Sequence, residues 1–239
     1  MRRLLILALV ISAAVASVVW FTTSRGKAED QSLGLFTSLP LLWSESSDLK
    51  GMLDGAEKPH WARAVLEERA QVTPLDTLLD LSAVRHLIIA QPRPLAPEEN
   101  VALDSWVRAG GAVLFFADPM LTQDSHFALG DRRRPQDVAL VSPILARWGL
   151  ELRFDEDQPA GERENAGERL PVNLPGQFVA RAGGQDADCQ IGTAGLIARC
   201  RIGKGRAVLV ADAALLESGE GESAGISGLQ RLLDEAFDR

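Results

Sequence analysis

The sequence predicts a doubly wound α/β domain with a mostly parallel sheet, and three observations lead to that prediction. Two short apolar runs, 86–92 (HLIIAQP) and 112–118 (AVLFFAD), flank a segment with helical periodicity. A third run, 205–212 (GRAVLVAD), repeats the second, with Ala-Val-Leu after a glycine and Ala-Asp at its end. Such continuous runs are typical of strands that helices cover on both faces. The expected plan is flavodoxin-like, with a crevice at the carboxyl ends of the strands.

The amino-terminal segment predicts a membrane anchor over residues 1–23. Residues 4–21 carry no charge, and as a helix at about 1.5 Å per residue they would span roughly 27 Å, close to the hydrocarbon thickness of a bilayer. Arg2 and Arg3 precede them, as in a signal anchor. A cleaved signal peptide is the alternative, because residues 14–16 (AVA) fit a small-x-small cleavage pattern.

Charges around this segment set the expected location of the rest of the chain. Arg2 and Arg3 favour an amino terminus on the inside, although Arg25 and Lys27 follow the apolar run. We therefore expect a single-pass protein of the inner membrane with an extracytoplasmic domain, or a secreted protein if the segment is removed. Polar residues 24–32 predict a tether, and 33–239 predict one α/β domain.

The first half of the domain alternates strands and helices. Residues 33–38 (LGLFTS) predict a strand, 60–69 a helix and 70–75 a short extended piece. In the strand-helix-strand unit that follows, Pro97 suits the first helical position and Gly110 suits the helix end. Because the links are short, we expect a right-handed βαβ unit.

The second half is less regular. Ser142 and Pro143 resemble a helix cap and a first helical residue, and the alternation in 150–154 (LELRF) predicts a half-exposed strand. Residues 155–168 are acidic and without period, which predicts a mobile loop. A β-hairpin near the sheet edge is expected at 187–203, and an amphipathic helix at 226–237 closes the chain.

The only two cysteines lie in the predicted hairpin. In the expected register Cys189 faces Cys200, so an oxidising compartment would let them form a disulfide. Two free thiols are the alternative.

Composition and motifs exclude several kinds of chemistry. A formal net charge of −8 argues against a nucleic-acid-binding protein. The G-x-S-x-G match at 221–225 does not directly follow a strand and has no histidine after it, and the GKG at 203–205 lacks the other residues of a phosphate loop. Asp118, Asp124 and His126 are near one another in the sequence, but they lie in a segment whose conformation the sequence does not predict, so we expect no metal site. We expect no cofactor.

Two groups of residues remain as candidate sites. Asp118 and Asp212 each follow a predicted central strand, where open α/β sheets bind ligands, so both are candidates for the crevice. The alternative is that each carboxylate caps the turn after its strand. Arg132, Arg133 and Arg134 stand together in an acidic chain and are candidates for docking a partner or an anionic ligand.

Three stretches, LAPEENVALDSWVRAGGAVLFFADPM, SPILARWGLELRF and GKGRAVLVADAALLE, together resemble the auxiliary component of gliding-motility-type ABC transporters. That family carries a class I glutamine-amidotransferase-like α/β domain. The resemblance covers roughly residues 33–217. It implies an extracytoplasmic, membrane-tethered, non-enzymatic domain that works beside the permease and ATPase subunits of a transporter.

The expected function is therefore that of an accessory or binding module of an ABC-type transport or envelope system. Two alternatives stay open. One is a hydrolase- or amidotransferase-like enzyme with an unconventional site in the sheet crevice, and the other is an extracytoplasmic sensor of a small ligand or glycan.

Overall fold

A seven-stranded sheet organises the part of the chain that the computed structural model describes, residues 32–43, 59–217 and 223–238. Its members are β1 (Ser32–Thr37), β2 (Gln71–Pro74), β3 (His86–Ala90), β4 (Ala112–Phe116), β9 (Ala187–Ile191), β10 (Ile197–Ile202) and β11 (Gly205–Val210). The remaining strands form two small two-stranded sheets: β5 (Leu150–Arg153) with β8 (Gln177–Ala180), and β6 (Arg163–Asn165) with β7 (Leu170–Val172). The helices are α1 (Trp61–Arg69), α2 (Pro97–Ala109), α3 (Ser142–Arg147), α4 (Ala214–Glu217) and α5 (Ser223–Phe237).

The strand order across the sheet is β2-β1-β3-β4-β11-β10-β9. The first five strands are parallel, and β10 runs antiparallel to both β11 and β9. Counted along the chain, the five parallel strands have the order 2-1-3-4-5, which is the doubly wound order. The sequence prediction of a mixed α/β domain with a mostly parallel sheet is therefore confirmed, with the β9–β10 hairpin at one edge.

The two faces of the sheet are covered by different helices. Alternate residues of β4 separate them: Leu114 and Phe116 pack in the core that includes α1 and α5, whereas Val113 and Phe115 pack in the core that includes α2 and α3. All five residues of β4 are buried. This two-sided burial explains why the strand is a continuous apolar run rather than an alternating one.

Glycines set the start of two central strands. Gly110 ends α2 with φ 125°, a backbone conformation that side-chain-bearing residues rarely adopt. Gly205 begins β11 where the chain passes so close to α2 that a Cβ atom would lie 2.0 Å from the carbonyl oxygen of Val107. A glycine thus precedes each Ala-Val-Leu run for a different reason: Gly110 adopts a positive φ, and Gly205 leaves room for the close approach of α2.

Two local predictions need correction, and a third is confirmed. Residues 155–168 are not an irregular loop throughout, since β6 pairs with β7 and Asn165 Oδ1 accepts hydrogen bonds from the N–H groups of Gly167 and Glu168 to close the turn. Ser142 is the first residue of α3 and not its cap, a position held by Val141. The predicted half-exposed strand at 150–154 is confirmed as β5, which pairs with β8.

The predicted membrane anchor, residues 1–23, lies outside the described residues, as does the predicted tether except for Ser32, which begins β1. No helix within 32–43, 59–217 and 223–238 is both long and apolar enough to cross a membrane.

The hairpin of β9 and β10 brings the two cysteines together. Cys189 and Cys200 are paired across the ladder and joined by a disulfide, with their Cα atoms 4.0 Å apart. The bond closes a loop of 11 residues at the edge of the sheet.

We predict that the unfolded, unreduced protein shows no thiol that reacts with a labelling reagent. The Cys189→Ser/Cys200→Ser variant should lose about 2–3 kcal/mol of unfolding free energy in urea, because the unfolded chain is no longer constrained. The reduced wild-type protein is the control and should match the variant. Two reactive thiols in the unreduced protein would contradict the prediction.

Candidate functional site

The carboxyl edge of the sheet is the part of the fold where a crevice is expected, because β1, β3, β4 and β11 all end there. Polar residues follow each of these strands: Ser38, Gln91, Asp118 and Asp212. The last three are buried, each with at most 2% of its surface exposed. Buried polar groups need hydrogen-bond partners, so their partners show what this edge does.

The Asp118 carboxylate ties the ends of two neighbouring strands together. Its Oδ1 accepts a hydrogen bond from the N–H of Met120 at 2.7 Å, which closes the turn after β4. Its Oδ2 accepts from the N–H of Ala213 at 2.9 Å, just after β11. Both oxygens of this side chain therefore bind backbone rather than facing an open crevice.

Asp212 has an equivalent role one strand over. Its Oδ1 accepts from the N–H of Ala214, the first residue of α4. Its Oδ2 accepts from the N–H of Asn173 at 3.0 Å, which holds the segment after β7 against the sheet. The structure thus brings the two sequence-predicted aspartates to one edge, where each binds the turn after its own strand and a second segment.

Gln91 is a site residue that sequence reasoning missed. It follows β3 with φ 45°, in the left-handed region that non-glycine residues occupy at a cost of about 1 kcal/mol or more. Its Oε1 accepts from the N–H of Asp118 at 2.9 Å, and its Nε2 donates to the carbonyl oxygens of Asp118 and Gln136 at 3.2 and 2.7 Å. The sequence did contain a signal for Gln91, because this polar residue directly follows an apolar run. The next residue, Pro92, also disfavours a helical backbone at Gln91.

Ser38 links the carboxyl ends of β1 and β3 by hydrogen bonds. Ser38 donates its hydroxyl hydrogen to the carbonyl oxygen of Gln91 and accepts a hydrogen bond from the N–H of Gln136 at 3.0 Å. The β1/β3 boundary is where the strand order reverses, the usual ligand position in such sheets. Here the backbone of Gln136, in the 117–141 connection, binds Ser38 and Gln91 at that position.

Three acidic side chains with raised pKa values, Asp118, Asp212 and Glu217, lie at this edge. Burial raises the pKa of Asp118 to about 7 and that of Asp212 to about 8, and the second shift is increased by the neighbouring charge of Asp118. Burial also raises the pKa of Glu217, although hydrogen bonds from Thr122 oppose the shift. Asn173 donates from Nδ2 to the Thr122 hydroxyl at 3.0 Å and so connects Asp212 with Glu217.

Asp124 and His126, which we considered as metal ligands, are both exposed in the 117–141 connection. Within the residues that the structure describes, no group of three or more His, Cys, Asp or Glu has an arrangement suited to a metal ion.

The three arginines of the 117–141 connection differ in their contacts. Arg133 binds Asp131 through two nitrogens, at 3.1 and 2.7 Å, and its guanidinium lies 4.2 Å from the centre of the Phe127 ring. Arg134 donates to the carbonyl oxygen of Phe127 and to Asp137. Arg132 is exposed and has no hydrogen bond to a described residue. The first two arginines thus hold the loop, which leaves Arg132 accessible.

The same connection holds an unusual share of exposed apolar side chains. Leu129 is 81% exposed, and Met120, Val138 and Leu140 are also among the large exposed hydrophobic residues. Trp43, which lies outside this connection, is also an exposed large hydrophobic residue. Its ring lies 6.0 Å from that of Phe127 in the connection. We call the side chains Trp43, Met120, Leu129, Arg132, Val138 and Leu140 the docking surface.

Comparisons with known proteins add structural likeness but no activity. No family model and no curated protein matches the chain. An exo-β-1,4-mannosidase from Opitutaceae bacterium strain TAV5 is 17% identical over 92% of this chain, with a TM-score of 0.45. A β-galactosidase from Rahnella sp. R3 is 13% identical over 87% of the chain, with a TM-score of 0.46. The chain covers only 37% and 32% of these two glycosidases.

A ThuA-like protein from Bacteroides uniformis is 10% identical over 88% of this chain and 91% of its own length, with a TM-score of 0.42. At these identities and TM-scores, none of the similar structures assigns an activity to this chain.

The raised pKa values predict how stability depends on pH. The folded pKa values of Asp118 and Asp212 lie above the unfolded ones, so the folded state holds protons that the unfolded state has released. Unfolding free energy should therefore fall as pH rises through about 7 and 8, by on the order of 2 kcal/mol between about pH 6.5 and 8.5. Burial lowers the pKa of His60 and His86 from the ordinary value of 6.5. These shifts make the unfolding free energy rise with pH, but chiefly below that value.

Urea unfolding across that pH range is the measurement. Asp212→Asn removes one titrating group and should flatten the dependence, whereas Asp124→Asn, an exposed residue of the 117–141 connection, should leave it unchanged. Equal slopes in all three proteins would contradict the prediction.

Proposed function

We propose that this chain is a membrane-anchored, non-enzymatic accessory domain of an ABC-type transport or envelope system, and that it docks a partner subunit through the surface above its carboxyl edge. The anchor is the apolar segment 4–21, and the partner is a permease or ATPase-associated subunit, as the sequence resemblance implies. The observation that carries the proposal is the closed carboxyl edge.

The side chains at that edge are engaged with the protein itself. Both oxygens of Asp118, both oxygens of Asp212 and both polar atoms of Gln91 bind backbone groups at 3.2 Å or less. A general acid or base must be within hydrogen-bond reach of its substrate, and these groups already have partners. The edge therefore serves to hold loops in place, which is the role expected of a scaffold for binding.

The docking surface has the composition of a protein interface. It combines exposed Leu, Met, Val and Trp side chains with one accessible arginine, and arginine, methionine and aromatic residues are enriched where proteins bind one another. Arg133 stacks on the ring of Phe127, and Arg134 donates to the carbonyl oxygen of Phe127. These contacts hold the loop that carries Arg132 in place before any partner binds. A braced loop loses less conformational entropy on binding.

Co-purification after mild cross-linking in membranes tests this proposal. The wild-type chain should recover a transporter subunit, and Arg132→Glu/Leu140→Asp should reduce that recovery at least about tenfold, because both an arginine contact and apolar burial are lost. Arg181→Glu, a charge reversal at an exposed residue outside the 117–141 connection, is the matched control. Recovery without any transporter subunit, or equal losses in both variants, would overturn the proposal.

A second candidate function rests on the acidic pair. Neighbouring buried carboxyls with raised pKa values are typical of acid–base sites, and Asp118 and Asp212 have both features. An enzyme of hydrolase or amidotransferase type would release product from aryl esters or ammonia from glutamine. Asp118→Asn and Asp212→Asn should then each abolish turnover while Asp124→Asn retains it. Absence of turnover, or unchanged rates in the first two variants, would remove this candidate.

A further inference from the structure

An open cleft of about 630 Å³ lies at the amino edge of the sheet, opposite to the docking surface. One row of paired residues crosses it: His86 lies beside Ala112, Ala112 beside Arg206, Arg206 beside Arg201, and Arg201 beside Asp188. The row runs from the third strand of the sheet to the edge strand. Its side chains share the face of the sheet on which α5 packs.

The cleft is basic in an acidic protein. Its lining includes five permanent cations, Arg85, Arg199, Arg201, Lys204 and Arg206, against two carboxylates. The whole chain has a net charge of −8, so this concentration of positive charge is local. Clefts lined by one sign of charge focus the electrostatic field and attract the opposite charge.

Internal partners account for only part of that charge. Arg199 binds both Glu168 and Glu235, and Arg206 donates from Nε to the carbonyl oxygen of Ala236. Structural roles therefore explain these two arginines.

The other three cations face solvent. Arg201 is 82% exposed and has a 3.2 Å ion pair with Asp188, which is itself exposed. Arg85 and Lys204 are exposed and have no side-chain hydrogen bond to a described residue. The field of the surplus charge is felt locally, since Arg85 and Arg206 together with burial lower the pKa of His86.

The amino edge is also where the predicted tether enters the domain. Ser32 begins β1, the N–H of Arg85 donates to its carbonyl oxygen at 3.4 Å, and its hydroxyl donates to the carbonyl oxygen of Ala83. Only ten residues, 22–31, separate Ser32 from the apolar segment. Even fully extended, they span at most about 35 Å. If residues 4–21 cross a membrane, the basic cleft is on the side of the domain that faces it.

We propose that this amino-edge cleft binds the headgroups of anionic phospholipids in the membrane that anchors the chain. The inference rests on the anchoring part of the proposed function. Guanidinium groups bind phosphate oxygens through paired hydrogen bonds, and basic residues close to an anionic leaflet are attracted to it. Such contacts would fix the orientation of the domain relative to the bilayer.

Amine acetylation of the full chain in lipid nanodiscs tests the proposal, because the sequence has only four lysines and Lys204 is the one in the cleft. The discs contain phosphatidylcholine alone or an about 7:3 mixture with phosphatidylglycerol. Acetylation of Lys204 should be at least about threefold slower in the anionic discs. Raising sodium chloride to about 0.5 M should remove most of that difference.

Two matched double variants locate the effect. Arg85→Gln/Arg201→Gln should abolish most of the slowing, whereas Arg132→Gln/Arg133→Gln removes the same charge at the opposite edge and should preserve it. Equal Lys204 rates in both kinds of disc, or equal effects of the two variants, would overturn the proposal. Slowing by soluble glycerol phosphate in phosphatidylcholine discs would also overturn it, in favour of a site for a free phosphate ester.

The experiment separates this inference from the proposed function. If the chain enters the discs but Lys204 is acetylated equally fast in both kinds, lipid binding is rejected and the proposed function is not. A chain that does not enter the discs rejects both the anchor and the lipid contact. Slowing in anionic discs without recovery of a transporter subunit from membranes leaves the lipid contact standing and rejects the transporter association.

Discussion

The Asp118 carboxylate is the constraint on which the carboxyl edge depends. It joins the turn after β4 to the turn after β11, while Gln91 holds the backbone of Asp118 from the β3 side. Three parallel strands are thereby linked at their ends by side chains, beyond the hydrogen bonds of the ladder. Since a buried carboxylate without partners is costly, these backbone N–H groups are what makes an acidic residue tolerable there. The 117–141 connection and α4 take their positions from this link.

The two edges of the sheet have opposite characters. The carboxyl edge has buried acidic side chains and is covered by a loop that exposes both apolar and charged residues. The amino edge is open and basic, and the chain enters the sheet there at Ser32. The two edges are distinct because the five parallel strands all start on one side and end on the other. The surface that we propose for lipid headgroups and the surface that we propose for a partner lie at these two different edges.

Sequence reasoning reached the sheet and the helices but not the pattern of contacts. The repeated Ala-Val-Leu runs predicted β4 and β11, and the strand-end positions of Asp118 and Asp212 placed them at one edge. Gln91 escaped notice because its role depends on a positive φ and on backbone groups 27 and 45 residues away. The short strand β6 escaped notice because its three residues are polar and gain their order from Asn165 and from pairing with β7. A local pattern can mark such a residue as unusual, but it does not identify long-range partners of this kind.

Hydrogen exchange at the amide of Ala213 tests the role of Asp118 most directly. The carboxylate of Asp118 accepts this N–H at 2.9 Å, at the junction between β11 and α4. We expect protection of at least about 100-fold in the wild-type protein, lost at Ala213 in Asp118→Ala, which has no side-chain acceptor, but retained at Asn173, which Asp212 holds. Rapid exchange of the Ala213 amide in the wild-type protein, or protection that survives the substitution, would contradict it.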